Sequence, residues 1–392
     1  MINFELQTPT RVIFGKDTEK QVGEVIRGYG YQKILLLYGG QNIHKSGLYD
    51  VVTTSLRDHG IAFVERGGVK PNPDAAFCEE TARVIQAENI ELVLAVGGGS
   101  VIDCGKVACH AAASGATPWE IMTHAKEITA TVPLGVILTI AAAGSETSNS
   151  AVITNEQIGK KMGIGTDWNR PLFAIMDPLL TYTLPPYQTA CGIVDIMMHT
   201  MERYLCKNGD NNLMDRMCEA LLTAVIEAGT VAMEKPDDYE ARATLMWAGS
   251  LSHNGLMGTG RDYAMVAHAL EHSLSAFDTK IAHGAGLAVI WPALLAYEYE
   301  HDVMRFARMA VRVWGCDMDF EHPERTALDG IRRARAFFNS LGMPSTLQEF
   351  GIAKKDLDTI ADNCTDFGKN TLANILPLTR DDVRKIYASC LK

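Results

Sequence analysis

The sequence has few features of a secreted, membrane-embedded or nucleic-acid-binding protein. Its nine cysteines, an odd number, stand singly with no CxxC pair, which argues against a disulfide framework or a cysteine zinc site and favours reduced thiols in the cytoplasm. No basic leader with an apolar run opens the chain, and the longest uncharged stretch, 128–145, is too short and too interrupted to span a membrane. Because 36 basic residues face 47 acidic ones, the net charge is −11, and we expect neither a nucleic-acid nor a membrane partner.

The chain has the composition of an ordinary globular protein, with 392 residues, 47% of them hydrophobic and 21% charged. Its first half alternates helix-compatible segments with short apolar runs that lack polar alternation, which is typical of buried parallel strands. These runs lie at 33–40, 61–68, 91–100, 131–140 and 173–178. The pieces FEL and RVIF near the start could add a small hairpin or an edge strand.

The second half of the sequence consists mostly of helix-compatible stretches. After Leu184-Pro185-Pro186 the β-branched runs nearly stop, and long helix-compatible stretches follow. The sequence therefore predicts an α/β N-terminal domain over 1–183, a parallel sheet with helices on both faces, and an all-helical C-terminal domain over 184–392.

Two predicted strands end in glycine-rich turns. Gly97-Gly98-Gly99-Ser100 stands between an apolar run and a helix, where it would form either an anion cradle suited to a pyrophosphate or a tight turn with Ser100 as N-cap. The second turn is Tyr38-Gly39-Gly40-Gln41, which taken alone reads as an ordinary glycine turn. In a parallel sheet both turns fall at the edge where ligands bind, although no GxGxxG fingerprint is present.

Polar groups interrupt two apolar helices of the second half. Asp195 and His199 lie one turn apart on one helix face and require either a metal ion or a mutual hydrogen bond. His268, His272 and His283 fall within 16 residues, although the whole chain has only 11 histidines. An aspartate with three histidines favours Zn²⁺ or Fe²⁺ and leaves room for a substrate oxygen.

The order of these motifs resembles the iron-containing (group III) alcohol dehydrogenase family. The resemblance rests on the GGGS turn, GSETSN at 144–149, LPPYQTACGIVDIMMHTME at 184–202 and the H-x3-H pair with a later HG, and it covers essentially the whole chain. Within the family the sequence looks similar to the NADP(H)-dependent butanol dehydrogenase and aldehyde reductase branch. The resemblance implies an N-terminal dinucleotide-binding domain, a helical metal and substrate domain, and a metal in the cleft between them.

The resemblance also implies a role for individual residues. It implies that the metal ligands are Asp195, His199, His268 and His283. It places His272 near metal and substrate, either to relay a proton or to orient a ligand. The implied cofactor contacts are Gly39, Gly40, Gln41, Asn72, Gly97, Gly98, Gly99, Ser100, Thr139 and Lys161. Ala143 stands where some relatives have threonine.

The expected protein is a cytoplasmic, metal-dependent oxidoreductase that moves a hydride between NADP(H) and small primary alcohols or aldehydes. The expected metal is Fe²⁺ or Zn²⁺, and a homodimer paired through the first strands is expected. NADP(H) is favoured because glycines and an amide, with no carboxylate, end the strand at Gly39. The alternatives are a polyol dehydrogenase or dehydroquinate-synthase-like lyase on the same scaffold, and a non-catalytic nucleotide-binding module with a structural metal.

Overall fold

The structure, a computed structural model, describes residues 1–207 and 212–391. The strands are β1 Arg11–Phe14, β2 Lys33–Tyr38, β3 Ala62–Arg66, β4 Leu92–Gly97, β5 Leu134–Leu138, β6 Ser150–Asn155, β7 Lys160–Gly165, β8 Phe173–Met176, β9 Leu372–Ala373 and β10 Pro377–Leu378. The helices are α1 Val22–Gly28, α2 Asn42–Lys45, α3 Leu48–Asp58, α4 Ala75–Ala87, α5 Gly99–Ser114, α6 Pro118–Met122, α7 Pro186–Tyr204, α8 Asn212–Glu234, α9 Tyr239–His253, α10 Val266–Phe277, α11 His283–Glu298, α12 Val303–Arg312, α13 Pro323–Ser340, α14 Leu357–Thr365 and α15 Arg380–Ser389. Short 3-10 helices include Thr18–Gln21 and Pro178–Thr181.

Six strands form one sheet in the order β1-β8-β5-β4-β2-β3, and every neighbouring pair is parallel. The five apolar runs of the first half are strands of this sheet, as predicted. RVIF forms the edge strand β1, whereas FEL has no regular structure and makes no hairpin with it. Because the strands are parallel, their carboxyl ends, and the loops that follow them, lie along one edge.

Successive residues of the central strands face opposite sides of the sheet, and both sides are buried. Leu35 and Leu37 join one apolar core, with residues of α4, α5 and α6. Ile34 and Leu36 join a second core, with residues of α1 and α3. The predicted sheet with helices on both faces is thus confirmed, and its strands lack alternation because neither face meets solvent.

Two short β pairs were not predicted. β6 and β7 form an antiparallel hairpin apart from the main sheet, with Thr154 opposite Lys161. The C-terminal part is helical, as predicted, apart from the two-residue strands β9 and β10. Neither pair carries a long apolar run, so the local sequence does not indicate these strands.

The chain divides into two compact units. One comprises Gln7–Leu184 and Pro236–Asn254, and the other comprises Met1–Leu6, Pro185–Lys235 and Gly255–Lys392. The domains 1–183 and 184–392 stay a prediction. The compact units differ from them in Met1–Leu6 and Pro236–Asn254, because nothing in the local pattern of α9 shows which sheet or helices it packs on.

Helix α9 belongs with the α/β unit through specific contacts. Ser250 Oγ donates a hydrogen bond to the buried carboxylate of Glu146, and Met246 lies in the core on one face of the sheet. Close packing also limits the loop before Glu146, since a Cβ on Gly144 would lie 2.5 Å from the Gly249 carbonyl oxygen.

The described ranges contain no helix that is long and apolar enough to cross a membrane. All nine cysteines lie in these ranges as free thiols, and eight of them are buried. Buried thiols in apolar surroundings behave as small hydrophobic side chains.

Two charged residues of α5 bind the loop 145–150. The buried Lys106 ammonium donates to the Ser145 and Ser150 carbonyl oxygens at 2.7 Å each and to the Ser148 carbonyl oxygen at 3.3 Å. Asp103 accepts from the Ser145 hydroxyl at 2.5 Å and from the Val152 backbone N–H at 3.0 Å. Burial lowers the pKa of Lys106 to about 8. The ammonium and carboxylate together anchor the loop and the start of β6.

We expect Lys106→Met to lower the free energy of unfolding by about 3 kcal/mol, because it leaves buried carbonyl oxygens without their donor and removes the positive charge near the buried Asp103 carboxylate. Urea denaturation followed by circular dichroism measures the change. Lys126→Met, which removes an exposed lysine from the same unit, is the control and is expected to change stability by less than about 0.5 kcal/mol. Equal effects of the two substitutions would contradict the anchoring role.

Candidate metal centre and nucleotide-binding loops

The four residues expected to bind metal converge around one carboxylate oxygen. Helix α7 carries Asp195 and His199 one turn apart, α10 carries His268, and α11 begins at His283. From Asp195 Oδ1 the distances are 3.7 Å to His199 Nδ1, 3.6 Å to His268 Nε2 and 3.7 Å to His283 Nε2. The sequence alone could not establish that the segment with Asp195 and His199 meets the segment with His268 and His283.

These distances suit a shared cation better than direct hydrogen bonds. All three are too long for an N–H···O hydrogen bond. They are close to the edge of a tetrahedron, about 3.4 Å for ligand atoms about 2.1 Å from an ion. Within the described ranges, Asp195 Oδ1 and His268 Nε2 are buried and have no hydrogen-bond partner. Nitrogen and oxygen donors that face one another in this way fit a divalent metal ion.

Two buried glutamates orient the histidines. Glu202 contacts Nδ1 of His268 and accepts from the Ala267 backbone N–H at 2.5 Å, and Glu271 contacts Nδ1 of His283. Each contact leaves the other ring nitrogen, Nε2, directed at Asp195. Burial alone would lower the pKa of His268, but the Glu202 and Asp195 carboxylates raise it to about 9.

Neither glutamate was predicted from the sequence, although a signal was present. Glu202 lies seven residues after Asp195 and three after His199, hence on the same face of α7, and Glu271 adjoins His272 on α10. Carboxylates in apolar helices need partners, and carboxylate–histidine–metal pairs are the usual arrangement around a bound metal.

His272 lies beside the cluster and has a different environment. Its ring centroid is 5.4 Å from that of His283 and 6.3 Å from that of His268. His272 and His283 are half-buried, whereas Asp195, His199 and His268 are buried. The cluster is therefore accessible from the side that His272 and His283 occupy.

In the other unit, the GGGS turn connects β4 to α5. A Cβ on Gly98 would lie 2.2 Å from Ile140 Cγ2, and one on Gly97 would lie 2.5 Å from Val101 Cγ2, so only glycine fits at both positions. Helix α5 begins at Gly99 with Gly98 as its N-cap, so the alternative with Ser100 as N-cap is wrong. Glycine has no side chain to cap the helix. The N–H groups of Val101 and Ile102 donate to the Gly98 carbonyl oxygen, which leaves those of Gly99 and Ser100 as the groups that could face an anion.

Two further expected cofactor contacts meet at the β6–β7 hairpin, where Lys161 Nζ donates to Asn72 Oδ1 at 2.9 Å. Asn72 is buried and has a left-handed backbone, with φ of 54°. Thr139 follows β5, and its backbone N–H donates to the Gly97 carbonyl oxygen at 3.1 Å, which puts it directly beside the GGGS turn.

Gly39, Gly40 and Gln41 follow β2, the strand that neighbours β4 in the sheet. A Cβ on Gly40 would meet nothing within 4 Å. A carboxylate that was not predicted from the sequence lies near this turn: Glu65 of β3 accepts from the Tyr49 hydroxyl at 2.6 Å and from the Tyr38 hydroxyl at 3.3 Å. The two glycine turns and Thr139 thus all follow parallel strands at one edge of the sheet.

Comparison with known proteins agrees with this geometry. The model "iron-containing alcohol dehydrogenase" matches residues 9–178, and "Fe-containing alcohol dehydrogenase family, C-terminal" matches residues 189–391. NADH-dependent butanol dehydrogenase A of Clostridium acetobutylicum is 40% identical over 388 residues, 99% of each chain. NADPH-dependent aldehyde reductase YqhD of Escherichia coli is 35% identical over 391 residues, also 99% of each.

Solved structures give the same result. The crystal structure of NADH-dependent butanol dehydrogenase A from Thermotoga maritima matches with a TM-score of 0.96 at 37% identity, covering 100% of this chain and 99% of that one. The chain belongs to the iron-containing alcohol dehydrogenase family, as its motifs indicated. It is an oxidoreductase of the alcohol dehydrogenase class.

We expect Gly98→Ala to weaken nucleotide binding by at least about tenfold, or about 1.4 kcal/mol, because the added methyl group displaces Ile140 and with it the turn. Titration of the protein with NADPH and NADH, followed by nucleotide fluorescence, measures the dissociation constants. Gly28→Ala is the matched control, because its Cβ would meet nothing within 4 Å. Unchanged affinity in Gly98→Ala would contradict a role of the turn in nucleotide binding.

Proposed function

We propose that this protein is a metal-dependent oxidoreductase that transfers a hydride between NADP(H) and small primary alcohols or aldehydes. The observation that carries the proposal is the set of three imidazole nitrogens 3.6–3.7 Å from one carboxylate oxygen of Asp195. The names of the relatives support the substrate class, since they include butanol dehydrogenases and an aldehyde reductase.

In this proposal Asp195, His199, His268 and His283 hold Fe²⁺ or Zn²⁺, both of which accept nitrogen and oxygen donors. When bound, the metal supplies Lewis-acid polarisation of the substrate oxygen, and the nicotinamide supplies or accepts the hydride. Glu202 and Glu271 fix the orientation of the His268 and His283 rings through their Nδ1 atoms. These four side chains are enough to bind the metal ion. The substrate enters from the half-buried side of the cluster.

The proposed nucleotide site uses backbone groups more than side chains. The N–H groups at the start of α5, with Gly97, Gly98, Gly99 and Ser100, face the pyrophosphate. Asn72 and Lys161 act as a hydrogen-bonded pair, in which the ammonium adds positive charge for the phosphates. Thr139 and the turn of Gly39, Gly40 and Gln41 complete the contacts along the sheet edge.

His272 is the proposed proton carrier between the substrate oxygen and solvent. Its half-buried position beside His283 supports this role, because a relay must reach both the cluster and water. The alternative role, in which His272 only orients the His283 side of the cluster, predicts loss of activity without a changed pH profile.

We expect His268→Ala to lose the metal. We expect His272→Ala to keep the metal and to lower kcat by about 100-fold. Elemental analysis should find about one metal ion per parent chain. The pH dependence of kcat then separates proton transfer by His272 from orientation. His301→Ala, at an exposed histidine outside the cluster, is the control. Full metal content in His268→Ala would contradict the ligand set, and metal loss in His272→Ala would make His272 a ligand.

The rival activities are separated by one assay. The parent is incubated with each reduced nucleotide and butanal, with and without a chelator, and in parallel with a polyol and with a phosphorylated cyclic substrate. Chelator-sensitive reduction of butanal supports the proposal. Activity confined to the polyol or the phosphorylated substrate would favour the sister reactions, and no turnover would favour a nucleotide-binding module with a structural metal.

The proposed preference for NADP(H) rests on the end of β2. Relatives named for NADH and for NADPH are both similar to this chain, so their names do not decide between the two nucleotides. Gly39 and Gly40 carry no carboxylate that would repel a 2′-phosphate. A Cβ on Gly39 would lie 3.4 Å from the Val69 carbonyl oxygen and 3.7 Å from Val101 Cγ2, so an aspartate side chain can be accommodated there.

We expect the parent to have the higher kcat/KM with NADPH, and Gly39→Asp to reduce or reverse that preference by placing negative charge near the ribose. Both nucleotides are assayed with butanal at fixed concentration. Glu65→Gln is the matched variant, because it removes a carboxylate held by Tyr38 and Tyr49 from the same region and should keep or strengthen the preference. A parent enzyme that prefers NADH would refute the proposal.

We also propose a cytoplasmic homodimer. β1 is an end strand of the six-stranded sheet, so its outer edge can pair with the same strand of a second copy across a twofold axis. Light scattering coupled to size-exclusion chromatography measures the mass in solution. The free cysteines are compatible with a reducing compartment.

A further inference from the structure

Three carboxylates meet at the carboxyl ends of the neighbouring strands β1 and β8. Asp17 follows β1, Glu19 lies in the short helix Thr18–Gln21, and Asp177 follows β8 directly. One oxygen of each lies within 4.8 Å of the others. The three residues belong to the α/β unit and are distinct from the histidine cluster of the helical unit.

The backbone holds this arrangement in place. Asp177 Oδ2 accepts from the Asp17 backbone N–H at 2.7 Å, and Oδ1 accepts from the Leu179 N–H at 2.8 Å. Gly15 N–H donates to the Met176 carbonyl oxygen at 3.1 Å, which joins the two strand ends. A carboxylate offers about four lone-pair sites, so both oxygens of Asp177 can still bind a cation.

Glu19 is the member of the group that lacks compensation. Its side chain is 5% exposed, and within the described residues its buried Oε2 has no hydrogen-bond partner. Among residues 1–207 and 212–391, neither Glu19 nor Asp177 forms an ion pair. Lys20 pairs with Asp17 at 2.6 Å on the exposed side, and Lys16 lies 4.3 Å above the Tyr239 ring.

The negative charge therefore requires a counter-ion or a proton. Burial, with the neighbouring Asp177, raises the pKa of Glu19 to about 7. The donors are carboxylate oxygens, without nitrogen or sulfur, and this is the ligand set that Ca²⁺ and Mg²⁺ prefer.

We propose that Asp17, Glu19 and Asp177 form a binding site for a hard divalent cation, Ca²⁺ or Mg²⁺, that ties the loop after β1 to the loop after β8. Glu19 supplies a carboxylate that is buried and whose Oε2 has no partner among the described residues, and Asp17 and Asp177 supply further oxygens from the two loops. The site is structural, and its function is to secure the edge strand β1 against β8.

The test uses protein whose catalytic metal is already bound, at pH 8 and constant ionic strength. CaCl2 and MgCl2 are titrated separately, with NaCl as the monovalent control, by calorimetry and by thermal unfolding. We expect saturable binding in the parent and a rise in Tm of a few degrees with one or both cations. Glu19→Gln, which keeps the shape and removes the charge, should weaken the binding by at least about tenfold.

Controls separate this site from other carboxylates and from the histidine cluster. Glu24→Gln removes an exposed carboxylate on the adjoining helix α1 and should respond like the parent. His268→Ala should also keep the response, because the histidine cluster lies in the other unit. If Glu19→Gln does not fold, Asp17→Asn, at an exposed position, takes its place.

Two results would overturn the proposal. The first is a parent without saturable Ca²⁺ or Mg²⁺ binding, with Glu19→Gln at least as stable as the parent, which is the outcome for a proton shared by Glu19 and Asp177. The second is equal cation binding in the parent and in both Glu19→Gln and Asp17→Asn.

Discussion

Charge buried in apolar surroundings must meet an opposite charge or a full set of hydrogen bonds, and much of this structure follows from that requirement. In the helical unit, Asp215 is compensated by Arg261 and Arg305 at 2.6 Å and by Arg308 at 2.9 Å. In the α/β unit, Lys106 is compensated by carbonyl oxygens and Asp103 by donors of the same loop. Where compensation from the protein is incomplete, as at Asp195, the structure leaves room for a cation.

The same requirement explains why the candidate metal centre is organised in layers. Asp195 contributes the central oxygen, and three imidazoles approach it at nearly equal distances. An imidazole ring by itself has no fixed orientation, because either ring nitrogen could face Asp195. Glu202 and Glu271 contact Nδ1 of His268 and His283, which directs their Nε2 atoms toward Asp195. The buried glutamates thus determine which ring nitrogens are presented to a metal.

The parallel sheet concentrates the remaining chemistry at one edge. Because all six strands run in the same direction, the loops after β2, β4, β5 and β8 emerge together. The GGGS turn needs glycine because Ile140 and Val101 occupy the space of a Cβ. Close packing therefore explains the glycines at this turn, whereas the local sequence alone was equally compatible with a requirement for anion binding.

The sequence alone determined the elements whose signals are local. Apolar runs without alternation predicted five parallel strands, and the i, i+4 spacing placed Asp195 and His199 on one face of α7. Only the tertiary structure shows the contacts between segments that are distant in sequence. Glu202 contacts His268, 66 positions away, and Ser250 of α9 contacts Glu146, 104 positions away. The acidic group of Asp17, Glu19 and Asp177 likewise forms only when β1 and β8 pair. Periodicity records the face a residue occupies, whereas its partner is set by the tertiary fold, because contacts between distant segments leave no repeat in the local pattern.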